Sequence, residues 1–499
     1  MKKTLFIKNA AILTSTGIIL RILGIFFKVW LAARVGSEGI GLYHLVFSVY
    51  TLVSTFASAG LSVAVTRLVA DELVRGSKDG VHRIIRRALS ITLIISLLTF
   101  ACVLFSSDMV ATKILGDSRA AASLSVMSFS LPFMGISSVL KGYFMARRKV
   151  QVNSFAVLLE QAIRISLCLY LVEKFSVFGT GGAVAGVLTG DTLAETASCA
   201  FMIILFKVDD KKLDIKNEET YFKGTKELLR ISTPITAGRY ATSALRTVEN
   251  ILVPKNLAKA GGNYASALSV FGALKGMALP ILFFPSTLLN AFSSLLIPEM
   301  SSALALKRPA VIKYSVERVL KITWLLGIIF GGIFFFAGER IGILVYNDND
   351  SGFLIKILAP LVPLMYLDSI SDGILKGLDQ QIFTFRNALL DSSLRIILIL
   401  FIVPQSGIEG FLVIMFFSNF LTCFLNVARL LRVSGVKPKF INDIVLPSLS
   451  GVGICMCFSS FLKGIENNII YTLSFGGLSL CFYIIFLFAF KIVDIHDYI

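Results

Sequence analysis

Runs of roughly 20 apolar residues recur from one end of this 499-residue chain to the other. That is the length at which an α-helix crosses a hydrocarbon core of about 30 Å. Inside lipid every backbone N–H and C=O must find a partner within the protein, so only helices and closed barrels span. Barrel strands would be about 10 residues long and alternate in polarity; these runs do neither. With 56% hydrophobic and 16% charged residues, the chain is also too apolar for a soluble protein, where about a quarter of residues are charged. The expected fold is an all-α integral membrane protein.

About fourteen transmembrane helices are expected. The first six lie near 8–33, 43–66, 88–107, 121–145, 152–172 and 180–206. Six more lie near 228–252, 265–297, 319–337, 353–377, 384–403 and 408–430, and a final pair near 443–462 and 468–491. The N-terminus, Met1-Lys2-Lys3 before an apolar run, resembles a signal peptide. The run is long and carries Arg21 and Lys28, so it reads as an uncleaved first span. The net charge of +17 does not point to nucleic acid, because the bases sit in short loops between spans. Only eight Lys and Arg fall in the odd-numbered loops; the clusters Arg83/Arg86/Arg87, Arg147/Arg148/Lys149, Lys207/Lys211/Lys212/Lys216, Lys307/Lys313 and Lys437/Lys439 fall in even-numbered ones. That asymmetry predicts that both termini are cytoplasmic.

The chain also repeats. Shifted by 231 residues, Arg87 falls on Arg318, Thr92 on Thr323, Asp117 on Asp348, Pro132 on Pro363, Gly142 on Gly373 and Arg164 on Arg395, in an ungapped match from about 81 to about 172. An even number of spans per repeat keeps both halves in one orientation. The expected arrangement is two parallel, pseudo-symmetric six-helix lobes plus a C-terminal helix pair. The boundaries are 1–206, a cytoplasmic linker at 207–227, 228–432, and 433–499 for the extra pair.

Charge inside a span costs about 2.5–3.5 kcal/mol at mid-bilayer on insertion scales, and such residues usually face a partner or a wet cavity. Span one carries Arg21 and Lys28, two helical turns apart; Lys28 can also snorkel to headgroups. Span seven carries Arg239, Arg246 and Glu249, and span eight Lys275. These bases are the candidate lining of a cationic substrate-binding cavity. Spans five and eleven each carry an acid-to-base pair at i,i+4, Glu160–Arg164 and Asp391–Arg395. Each either neutralises itself between helices or rearranges during transport. Asp191 and Glu195 in span six are like-charged with no base in their own span, so they form either an ion or proton site or the mouth of an aqueous cavity. Together with Glu249 and the two pairs they are the ion or gating candidates.

No catalytic or metal site is expected. The three His are scattered, and all seven Cys lie in apolar spans and read as buried small hydrophobes. Gly179-Thr-Gly-Gly182 is followed by no Gly-Lys-Ser/Thr, so no nucleotide loop is present. Pro132, Pro234, Pro280, Pro285, Pro298 and Pro363 fall within or at the ends of spans, where proline kinks helices. The protein is expected to be no enzyme, to need no cofactor and to bind no nucleic acid.

Three stretches then carry a family likeness: Arg21-Ile-Leu-Gly24 through Ala32-Ala-Arg34-Val-Gly36, Glu38-Gly-Ile-Gly-Leu-Tyr43, and Ala59-Gly-Leu-Ser-Val-Ala64. The chain resembles the stage V sporulation protein B group of polysaccharide-type exporters, in the multidrug/oligosaccharidyl-lipid/polysaccharide exporter superfamily. The resemblance implies two lobes around a cationic cavity, in a bacterial cell membrane. It also implies outward flipping of an undecaprenyl-pyrophosphate-linked sugar precursor of lipid II type, for peptidoglycan or spore cortex. Membrane lipid and cell-wall synthases are the implied partners. In related flippases first-span arginines and eighth-span bases matter; Arg21 matches the former by its Arg-x-Leu-Gly context, and Lys275 is a positional counterpart of the latter. Members that flip lipid II carry a second first-span arginine six residues on, where this chain has Phe27 followed by Lys28. The last two spans would offer a groove for the lipid tail. Competing expectations are a drug/cation antiporter, an exporter of a teichoic acid or capsule repeat unit, and a non-transporting scaffold. Arginine suits a pyrophosphate because its fork donates two hydrogen bonds at once.

Overall fold

A computed structural model describes residues 3–58, 60–211, 224–437 and 441–490, together with Phe222 and Ile492. Most of the expected linker (212–221 and 223), Lys439 and His496 lie outside the described residues. The described residues are helical from end to end. In order the helices are α1 (Lys3–Ser58), α2 (Leu61–Arg75), α3 (Lys78–Met109), α4 (Ala120–Ser128), α5 (Ser130–Ala146), α6 (Val150–Phe175), α7 (Gly179–Lys211) and α8 (Thr225–Lys259). There follow α9 (Tyr264–Gly272), α10 (Leu279–Phe283), α11 (Ser286–Ala305), α12 (Pro309–Tyr346), α13 (Asn349–Leu358), α14 (Val362–Gly377), α15 (Gln381–Ser434), α16 (Leu446–Phe461) and α17 (Asn468–Ala489).

Among the described residues, eight helical stretches are long and apolar enough to cross a membrane, or nine if the bent pair α4–α5 is one span. Two of the eight, Val150–Lys211 and Gln381–Ser434, each hold two helices, joined at Gly179 and at Gly407. Each expected span overlaps a helix, but neither α1, which holds the first two, nor α8 is among the eight; Arg230, Arg239, Arg246 and Glu249 all lie within α8. Several expected spans are interrupted. The span drawn at 43–66 stops at Ser58 and restarts at Leu61, with Gly60 at φ 56°. A side chain there would be strained, and its Cβ would lie 2.8 Å from the Thr236 hydroxyl. The span at 121–145 bends by 41° between α4 and α5, and that at 265–297 breaks before Ser286, behind Pro285.

The chain divides into two compact units. Unit 1 comprises Met1–Phe27 and Arg34–Lys255; unit 2 comprises Lys28–Ala33 and Asn256–Ile499. Most of α8 therefore packs with unit 1, where the Thr247 hydroxyl donates to the Ser48 carbonyl at 2.9 Å and the Asn250 amide to the Ser48 hydroxyl at 2.9 Å. The core of unit 1 follows helical spacing: Leu61, Ala64, Val65, Leu68 and Val69 of α2 meet Val81, Ile84, Ile85 and Ala88 of α3 and Val139, Leu140, Tyr143 and Phe144 of α5. Small residues bring these helices close. A Cβ on Gly142 of α5 would sit 2.6 Å from the Ser62 carbonyl of α2.

The repeat is written into the backbone. Left-handed residues at Gly76, Gly116 and Arg148 in unit 1 have counterparts at Lys307, Asn347 and Asp379 in unit 2, each 231 residues on. The starts of α3 and α12, and of α6 and α15, are also 231 apart. The bends at Gly179 and Gly407 are 228 apart, so the second copy is three residues shorter there.

One sequence expectation is corrected here. All seven cysteines are free, but only Cys168, Cys199, Cys423 and Cys455 are buried; Cys102, Cys457 and Cys481 are exposed. An apolar solvent leaves a small apolar side chain no reason to hide. Among the described residues no group of His, Cys, Asp and Glu is arranged to hold a metal.

Candidate functional site

Unit 1 holds a charged network between α5, α6 and α7. Arg164 of α6 donates from Nη2 to Oε1 of Glu160, one turn back, at 2.9 Å, and from Nη1 to Gln161 at 3.1 Å. Its Nε lies 2.8 Å from Oδ1 of Asp191 on α7. Lys141 of α5 approaches Oε2 of Glu160 at 3.7 Å. Glu195, one turn beyond Asp191, is buried. The Glu160 and Asp191 side chains are only 12% and 15% exposed. Two bases thus stand among three carboxylates. The base that span six lacks comes from the neighbouring helix, and Glu160–Arg164 closes on itself as an i,i+4 pair while reaching across to α7.

Unit 2 solves the equivalent problem differently. Asp391 accepts a short hydrogen bond from the Ser418 hydroxyl. Asn387, one turn earlier, donates to Asn426 at 2.8 Å, and Asn426 donates to Asp368 at 2.8 Å. Amides and a hydroxyl thus contribute to the polar interior of unit 2 around this turn.

The five expected cavity bases are distributed between the units. Arg21, Arg239 and Arg246 belong to unit 1 and are exposed. Arg239 and Arg246 make no side-chain hydrogen bond or ion pair among the described residues. Glu249, by contrast, is buried, at 4% exposed. Lys28 and Lys275 belong to unit 2 and are half-buried, Lys275 in a π-helical turn, Ala273–Ala278, that follows α9.

Two ionic clasps in unit 1 were not foreseen. Arg119 joins three chain segments: it pairs with Asp117 at 2.7 Å and Glu38 at 2.8 Å and donates to Thr180 at 2.9 Å. On the Arg147/Arg148/Lys149 loop, read from sequence only as a topology signal, Arg147 pairs with Asp209 at 3.1 Å and Lys149 pairs with it closely. Tyr143 also donates to Asp209, at 2.9 Å. Asp209 lies beyond the apolar stretch of α7, which ends at Phe206. Burial alone would push its carboxyl up; the bonds from Arg147, Lys149 and Tyr143 outweigh that and hold it below the ordinary carboxylate range. The signal available in sequence was the adjacent pair Asp209-Asp210 at a helix end.

Charged groups held among the helices of a multi-pass fold mark functional sites in membrane proteins. Residues 6–303 match the family described as polysaccharide biosynthesis protein. The chain belongs to that family. Stage V sporulation protein B of Bacillus subtilis (strain 168) is 29% identical over 472 residues, covering 93% of this chain and 90% of that one. Lipid II flippase MurJ of the same organism is 19% identical over 419 residues, covering 79% and 76%. Among solved structures, a lipid II flippase MurJ in an inward closed conformation superposes with a TM-score of 0.73 at 15% identity, covering 96% of this chain and 100% of that one. An inward-facing multidrug resistance MATE family transporter gives 0.65 at 14%, covering 85% and 98%. At these identities the structures establish a shared fold.

Proposed function

We propose that the protein moves an undecaprenyl-pyrophosphate-linked sugar precursor, of lipid II type, from the inner to the outer leaflet by alternating access. The observation that carries the reading is the pair Arg239 and Arg246: two guanidinium groups on exposed positions of α8, seven residues apart, with no carboxylate taking up their charge. An anionic headgroup is the partner such groups lack. Arg21, Lys28 and Lys275 complete the proposed cationic lining. An apolar groove between α12 and α17, lined by Leu325, Ile329, Tyr483 and Leu487, suits a polyprenyl tail. In this reading fourteen spans form lobes at 1–206 and 228–432 with an extra pair at 433–499, and both termini are cytoplasmic. Asp191 and Glu195, with Glu249, Glu160–Arg164 and Asp391–Arg395, serve as ion or gating groups. One charge moved through 100 mV supplies about 2.3 kcal/mol for the cycle.

The test is complementation of a depletion strain. Arg246→Ala and Arg21→Ala at normal membrane abundance should fail to restore growth or sporulation, and labelled lipid-linked precursors should accumulate. Full activity of both variants would remove the reading. Chemical identification of the accumulated species separates a lipid II precursor from a teichoic acid or capsule unit. The carboxylate surplus in the unit 1 network favours one second reading, a drug/cation antiporter; drug sensitivity of the depleted strain with normal wall synthesis would support it.

A further inference from the structure

Helices α3 and α12 are copies of one another, and what packs on them differs. In unit 2 the far side of α12 is covered by α16 and α17. Four α12 residues that meet this helix pair or the turns beside it have no like in α3. Trp324 donates from Nε1 to Ser448 at 3.1 Å. Lys321 pairs with Asp443 at 3.0 Å. Gly332 makes room for Cys455. Arg340 donates to the Ile465 carbonyl at 2.5 Å and lies 3.8 Å from the centre of the Tyr471 ring. At the equivalent positions α3 has Leu93, Ser90, Ala101 and Met109. None of these can reproduce those contacts; among the described residues α3 packs mainly on α2, α4, α5 and its own C-terminal turn, and its start meets α7 through His82 and Asp210.

The uncovered side of α3 is not uniform. Ile94, Leu97, Leu98 and Phe105 are exposed, and about two to three turns before the first of them Arg83, Arg86 and Arg87 are exposed together. At helical spacing the arginines and the apolar residues share one side. The three guanidinium groups make no hydrogen bond or ion pair among the described residues. Asp79, one turn before Arg83, is not in ion-pair contact with it, while Asp210 is taken by His82 at 2.6 Å and Asp209 by Arg147 and Lys149. In unit 2 the matching turn is self-contained: Arg318, the counterpart of Arg87, donates to Tyr314 at 3.1 Å, and Asp443 supplies the carboxylate for Lys321.

We propose that Arg83, Arg86 and Arg87 form a binding site for the headgroup of an anionic phospholipid, whose acyl chains lie along Ile94, Leu98 and Phe105. Arginine forks match phosphate oxygens, and the apolar stretch beyond them matches hydrocarbon. A protein partner of the kind unit 2 carries is disfavoured because α3 has no counterpart of Trp324, Lys321 or Arg340, although Phe105 matches Phe336, which meets Phe475 of α17. The lipid stands where unit 2 carries a piece of its own chain.

The full-length protein, purified in detergent, is titrated with phosphatidylglycerol and with phosphatidylcholine, and retained lipid is counted by native mass spectrometry. Wild type should prefer phosphatidylglycerol. Combined Arg83→Gln, Arg86→Gln and Arg87→Gln should weaken its retention roughly tenfold or more, since each base near a charged surface contributes about a factor of five. Removing the same charge from unit 2 with Lys307→Gln, Arg308→Gln and Lys313→Gln should change it little. Equal loss in both triple variants, no loss in the first, or displacement by soluble glycerol phosphate would overturn the proposal. So would a stoichiometric second polypeptide on wild type that the first variant releases. Should the first variant not fold, a wild type without headgroup preference is itself a refutation.

Discussion

Glu160–Arg164 in unit 1 and Asp391–Arg395 in unit 2 occupy the same place in a repeat three of whose turns agree to the residue, yet their described neighbours differ. In the first copy the acid-base pair extends to Asp191 and Lys141, so ions answer ions. In the second, the residue matching Lys141 is Asp372, which pairs with Lys376 one turn on at 2.5 Å, and Asp391 is met by Ser418. Backbone register and side-chain chemistry have separated. A helix bundle needs the spacing of its bends and small residues to pack, but each lobe is at liberty to neutralise its interior polar groups by its own means. Breaking one side of a buried ion pair leaves a charge behind, whereas breaking an amide–amide bond leaves a dipole.

That contrast can be broken experimentally. Arg164→Met strips the counter-charge from Asp191 and the nearer of two from Glu160, and should cost about 3–5 kcal/mol, read as loss of thermal stability in detergent. Asn426→Leu in unit 2 removes the links to Asn387 and Asp368 and should cost about 1–3 kcal/mol in the same assay. Equal losses would mean that the two interiors are energetically alike despite their composition. Asp209→Asn should cost on the order of 1 kcal/mol at neutral pH. Because the folded-state carboxyl is held below its ordinary range, its contribution is present above that range and disappears as pH falls through the lowered value. The gap between wild type and Asp209→Asn should therefore close in acid, and a gap that persists would assign the effect to packing. Arg119→Ala should have the smallest effect, about 0.5–1 kcal/mol, since its guanidinium is 37% exposed and solvent screens it. Limited proteolysis near Asp117 and Thr180 would report the loosening directly.

Helices and repeat were legible in the sequence because both are written in local patterns: runs of apolar residues, and prolines, glycines and charges at a fixed offset. The ungapped match faded near residue 172 for a reason visible in the fold, the three-residue difference between the Gly179 and Gly407 bends. The Arg164–Asp191 contact was not legible, because the partners are 27 residues apart on helices whose mutual rotation no periodicity specifies. Nor was the role of Asp209, whose partners Arg147 and Lys149 lie on a loop that reads as a topology signal and whose third, Tyr143, lies on α5. The exposure of Cys102, Cys457 and Cys481 was misjudged because hydropathy separates apolar from polar residues, not the inside of a bundle from its lipid-facing skin.

Those three thiols give the molecule native reporters. Cys102 is exposed on α3, four residues past Leu98 and three before Phe105. A nitroxide or fluorophore attached there would sense the acyl chains beside unit 1, about 22 Å along the helix from Arg87. Labels at Cys457 and Cys481 would ride on the terminal hairpin instead. Four shielded sulfhydryls should react more slowly, so differential alkylation offers spectroscopic access before any cysteine is engineered.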